Sequence, residues 1–182
     1  IWQRALQHFR NGRPREAIRD CESLVHAPSP WPMAFPLLSS IHLHLGEIKL
    51  ATYYAVAATQ HLAGLDWEGV LSVSTALIMV GENRLAHDVL QDIEKTRFEP
   101  GKAYLHLGRQ YSTLEDIPRA LQSFRSALDA GDKTAFSWLM YGLSCSHLGK
   151  MRETEEAYDH SLALDPTLAH AHWAKAQIGS VE

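Results

Sequence analysis

Apolar residues recur along this chain at helical intervals, in runs too short to bury themselves unaided. Over residues 101–134, Tyr104, Leu107, Tyr111 and Leu114 fall at i, i+3, i+7 and i+10, which places them on one face of a helix. After a short break, Ile117, Ala120, Leu121, Phe124 and Leu128 repeat the pattern. The spacing predicts two amphipathic helices joined by a tight turn. Neither can cover its stripe alone, so the pair needs neighbours of the same kind.

Those neighbours lie one period away on either side. Small residues in the first helix of each pair run Ala5, Ser39, Ser74, Gly108, Gly142 and Ala176, at spacings of 34, 35, 34, 34 and 34. A second ladder, in the second helix, runs Ala17, Ala51, Ala86, Ala120 and Thr154. A third, at the turn, runs Gly12, Gly46, Gly81 and Gly149, with Glu115 in the place of the missing glycine. Small side chains let paired helices approach closely, and glycine at the turn takes a positive φ without steric cost. Cys21, Ala55, Leu90, Phe124 and Tyr158 share one apolar position between the ladders. Three ladders in one register identify a helical repeat.

The expected segmentation is a partial repeat over 1–31, full repeats over 32–66, 67–100, 101–134 and 135–168, and a final helix over 169–182. This is a single array covering 1–182. The one extra residue falls between Ala58 and Ser74, in the connection around His61–Asp66, with Asp66 as the expected N-cap. Pro14 and Pro118 fall in first turns of second helices, where no helical hydrogen bond is lost. Pro36 lies near the start of a first helix, and Pro100 between repeats. The chain opens on Ile1 in mid-pattern, without Met, and so reads as a piece of something longer.

These residues resemble the tetratricopeptide repeat, a 34-residue helix–turn–helix unit. The best copy matches it at Tyr104, Leu107, Gly108, Tyr111, Ala120, Phe124 and Ala127. The next matches at Trp138, Gly142, Gly149, Tyr158 and Pro166, and departs at Tyr141, Cys145, Thr154 and Ser161. The resemblance implies an all-α fold, a right-handed helical-repeat solenoid whose first helices line a concave groove. It also implies a non-catalytic scaffold that binds a protein, as an extended peptide or a partner helix.

Carried over from the family pattern, the groove residues are Lys102, Leu105, His106 and Arg109 in the best repeat, and Phe136, Leu139, Met140, Leu143 and His147 in the next. Upstream, Glu68, Leu71, Thr75, Ile78 and Met79 take the same positions. Phe136, Leu139 and Leu143 form an apolar strip that reads equally well as an open groove or as a face covered by a neighbour. Some relatives of this family clamp a terminal carboxylate with Lys and Asn. Here the clamp position holds Leu6, Ser40, Thr75, Arg109, Leu143 and Gln177, so a clamp of that type is not expected. A weaker resemblance lies in ALDPTLAHAHWAKAQI, residues 163–178, which is similar to the last repeat of bacterial proteins carrying a sulfotransferase-like domain. It implies an alternative role as an accessory or regulatory module of a larger enzyme.

Composition narrows the partners. A net charge of −4 argues against nucleic acid, which needs a basic face. Arg4, Arg10, Arg13, Arg15 and Arg19 cluster near the start and read as a solvated helix face. Cys21 and Cys145 fit no metal or redox spacing and read as small core residues, which favours a reducing, cytoplasmic setting. Among eleven histidines, His42/His44 and His170/His172 are i, i+2 pairs that diverge on a helix, while His8 and His42 share a packing position. No metal site, cofactor or catalytic residue is expected, and no phosphate-cradling or nucleophile motif is present. No apolar run is long enough to span a membrane. Trp2, Leu6 and Trp173 on the terminal helices suggest self-association.

Overall fold

The computed structural model describes residues 1–95 and 101–178, and of 92–95 the backbone only. Among these residues there are helices and no strand. They fall into two compact units, Ile1–Arg97 and Phe98–Glu182. The first unit holds α1 (Trp2–Arg10), α2 (Pro14–Val25), α3 (Ala34–His44), α4 (Ile48–Ala58), α5 (Trp67–Met79) and α6 (Asn83–Lys95). These pair as three hairpins, and α3 packs on both α2 and α5. The second unit holds α7 (Lys102–Thr113), α8 (Ile117–Asp129), α9 (Ala135–His147), α10 (Met151–Leu164) and α11 (Ala169–Ile178), each packed on the next.

The small-residue ladders run through the hairpin cores. Ala17, Ala51, Ala86, Ala120 and Thr154 are fully buried, as are Cys21, Ala55, Leu90 and Phe124. In the first-helix ladder Ala5, Ser39, Ser74, Gly108 and Gly142 are buried. The sixth rung, Ala176, is exposed. No helix follows α11 among the described residues, so nothing there covers it.

The turns show why glycine recurs. Gly12, Gly46, Gly81 and Gly149 have φ of +69°, +75°, +85° and +69°, and Glu115 takes the same conformation at +60°. At the α9–α10 turn Gly149 N–H donates to Ser146 O and Lys150 N–H to Cys145 O, both at 3.0 Å. At the α7–α8 turn Glu115 N–H donates to Ser112 O at 3.1 Å and Asp116 N–H to Tyr111 O at 3.0 Å. The same two bonds close both helices, and they require the left-handed residue.

The extra residue is taken up by a 3-10 turn over Thr59–Gly64 that follows α4 directly. His61 within it stacks on Phe35 with ring centroids 4.5 Å apart. Asp66 then caps α5, its side chain accepting from Gly69 N–H at 2.8 Å. Pro14 opens α2 and Pro118 lies in the first turn of α8. Pro100 lies outside the described residues.

Candidate functional site

First helices carry the candidate binding surfaces in each unit. On α7, Lys102, His106 and Arg109 are exposed and Leu105 is half-buried. Their i, i+3, i+4, i+7 spacing puts them on one face. On α9, Phe136 is 41% exposed, Met140 and Leu143 are half-buried, and His147 is exposed.

Leu139 departs from that surface. It is 4% exposed and packs in a cluster with Tyr158, Ala171 and Ala174, against which Leu143 and Ile178 also lie. Leu139 is a core residue, and Leu143 is partly covered with it by α10 and α11, whereas Phe136 stays exposed. Leu71, expected on the same surface upstream, is also buried, whereas Glu68 and Met79 are exposed and Thr75 and Ile78 half-buried. An i, i+3, i+7 apolar spacing looks the same whether its face meets solvent or another helix.

Met140, Leu143 and His147 do share a cavity of about 490 Å³ with residues from the α7–α8 hairpin. Ser112, Glu115 and Ile117 complete one side of it, and Ser144 joins from α9. Lys102, Leu105, His106, Arg109 and Phe136 are not among its walls.

The first unit carries a smaller cavity, of about 290 Å³, across its three first helices. Trp2 and Leu6 come from α1, Met33 from the residue just before α3, and Pro36 and Leu37 from its first turn. Ser40, Ser72 and Thr75 close it. Leu6, Ser40 and Thr75 occupy the groove position read from the repeat register, but their apolar companions were not legible as a set. Trp2 lies one turn before Leu6, and Leu37 one turn before Ser40, so helical spacing from the register position would have found both. Ser40 donates to Pro36 O, Ser72 to Glu68 O and Thr75 to Leu71 O, at 3.0, 2.9 and 2.8 Å. The wall is thus aliphatic and aromatic, with hydroxyl protons already committed to the helices.

Beside this surface, Arg4 donates two hydrogen bonds to the Asp20 carboxylate, at 2.7 and 2.5 Å, tying α1 to α2. His8 lies 3.9 Å from the same carboxylate. Hydrogen bonding by Arg4 holds the Asp20 carboxyl below its ordinary value, against the opposing effect of burial. Arg10, Arg13, Arg15 and Arg19 are exposed, with no part in either cavity. His42 is buried, stacks on Tyr54 at 5.4 Å and meets Glu47 at 2.5 Å through Nδ1. Cys21 and Cys145 are buried free thiols, both raised by burial. Among the described residues no three His, Cys, Asp or Glu side chains gather as metal ligands would. No helix among them is long and apolar enough to cross a membrane.

No family model and no curated protein matches this chain. Solved structures do. YrrB, described as a TPR protein with an unusual peptide-binding site, is 16% identical over 94% of this chain and 88% of its own, with a TM-score of 0.71. MamA from Desulfovibrio magneticus RS-1 is 16% identical over 92% of this chain and 94% of its own, with a TM-score of 0.67. TTC0263 from Thermus thermophilus, a thermophilic TPR protein, is 20% identical over 97% of this chain and 95% of its own, with a TM-score of 0.58. Period, turn geometry and these likenesses agree: the chain has the tetratricopeptide-repeat fold, an all-α helical-repeat solenoid.

Proposed function

We propose that this chain is a non-catalytic protein-interaction scaffold whose first helices bind a peptide or partner helix. The observation that carries the reading is the open, apolar-walled cavity shared by the first helices of three successive hairpins, at Trp2, Leu6, Met33 and Leu37. Its walls suit an apolar side chain, and its volume of about 290 Å³ has room for one large residue. In the second unit, taken by itself, Lys102 and Arg109 on α7 are exposed basic groups that suit a partner's acidic side chains. Peptide binding by YrrB, on the same fold, supports the reading without assigning its residues.

The test is a peptide-display selection on the immobilised chain, followed by calorimetry with the selected peptide. Leu37→Asp and Leu6→Asp should each abolish or sharply weaken binding at the first unit's cavity while far-UV circular dichroism stays unchanged. Wild-type affinity in both variants would overturn the groove.

A further inference from the structure

The cavity of the second unit carries chemistry that the first unit's lacks. Its aliphatic walls are Ile117 from α8 and Met140 and Leu143 from α9. The polar walls are Ser112, Glu115, Ser144 and His147. Ser112 donates its hydroxyl proton to Gly108 O and Ser144 donates to Met140 O, both at 3.0 Å. Each hydroxyl then turns only lone pairs toward the cavity. Glu115 adds a carboxylate and His147 an imidazole, and no Lys or Arg stands among the walls. Arg109 lies one turn before Ser112 on α7, outside them.

Glu115 is unusual on a second count. It holds a φ of +60° at the turn where Gly12, Gly46, Gly81 and Gly149 stand in the other hairpins. That conformation disfavours a side chain and suits glycine. The one carboxylate at this turn position is also a wall of the cavity. Strain held at a binding surface is a pointer to use.

We propose that this cavity receives a lysine side chain of the bound protein. Its methylene stem lies on Ile117, Met140 and Leu143, as long basic side chains lie along apolar surface. Its ammonium meets the Glu115 carboxylate and the Ser112 and Ser144 oxygens. Three acceptor-bearing side chains match the three donors of a compact ammonium, whereas a carboxylate placed there would face the Glu115 carboxylate, with the His147 imidazole as the lining's one N–H-bearing side chain. The proposal rests on the reading of the first helices as a protein-binding surface.

The experiment follows the methyl resonances of Ile117 and Met140 in the full chain during titration with pentylammonium, 1-pentanol or hexanoate. Pentylammonium should shift both saturably and bind about tenfold more tightly than 1-pentanol, with hexanoate weakest. Glu115→Gly relieves the turn and so folds, and in it pentylammonium should fall to the affinity of 1-pentanol. Equal affinities for the two probes in the wild type, or unchanged pentylammonium binding in Glu115→Gly, would overturn the lysine assignment. If 1-pentanol still shifts these methyls in that case, the apolar groove stands without its charge preference. If no probe shifts them, the groove fails at this site as well.

Discussion

Gly108 lies against the ring of Phe124, so closely that a Cβ on Gly108 would stand 2.6 Å from Cε1 of that ring. Gly142 meets Tyr158 in the same way, also at 2.6 Å from Cε1. In the first unit the small position and its counterpart differ together: Ala5 goes with Cys21, Ser39 with Ala55, Ser74 with Leu90. An aromatic ring on the second helix thus coincides with the loss of every side-chain atom on the first. Close packing makes the two positions one choice.

Gly108→Ala should therefore destabilise, although alanine is the better helix former by about 1 kcal/mol. Overpacking against a ring costs about 1–3 kcal/mol, so the net is a loss. Phe124→Leu in the Gly108→Ala background should recover part of it. Denaturant midpoints of the single and double variants check this, and equal losses in both would count against the pairing.

Glu115→Gly should stabilise the fold by about 1 kcal/mol, because the turn conformation there penalises a Cβ. Gly149→Ala should cost about the same amount at the corresponding turn. Nothing lies within 4 Å of a Cβ at Gly149, so its cost is conformational and not a clash. Melting temperatures should move in opposite directions for the two variants.

Leu139→Ala should cost about 2–4 kcal/mol, as expected for a buried leucine and not for a groove residue. Leu139→Asp should unfold the second unit's core outright, since it would bury a carboxylate among Tyr158, Ala171 and Ala174. Chemical denaturation decides this, and a variant as stable as wild type would return Leu139 to the surface.

Acid should weaken the α1–α2 hairpin through Asp20. Its folded-state carboxyl lies below the ordinary value of 3.8, so the Arg4 pair contributes stability that is fully present above that value. The contribution is lost as pH falls from 3.8 through the lower folded-state value. Asp20→Asn should flatten this part of the stability-versus-pH curve. Arg4 is 62% exposed at its side chain, so salt should reduce the effect as well.

Cys21 should resist thiol reagents in the folded chain. Burial, with Asp20 and Glu22 adding to it, raises its thiol to about 12. At about pH 8 that leaves a thiolate fraction of about one in ten thousand. Labelling should be slow in native buffer and fast in denaturant, and rapid native labelling would contradict the packing.

Much of the fold was legible because its determinants are local and periodic. The turn glycines, the alanine ladder and the Asp66 cap each act within a few residues of themselves, and repetition at a fixed period made each one confirm the others. Even Glu115 kept the turn's conformation and hydrogen bonds, since those belong to the backbone. The candidate site was less legible. Leu139 and Leu37 both sit at helical spacing on a first helix, yet one is enclosed by α10 and α11 and the other lines an open cavity.

Residue spacing alone carries the period, the helix pairs, the turn positions and the small residues that lie between helices. Tertiary structure decided which apolar faces stay open, that Arg4 reaches Asp20 sixteen residues away, and that Glu115 stands in the wall of an aliphatic cavity. The physical reason is one of range. Helix and turn preferences are settled by neighbours in sequence, whereas burial and charge partnership depend on what another helix brings to the same place.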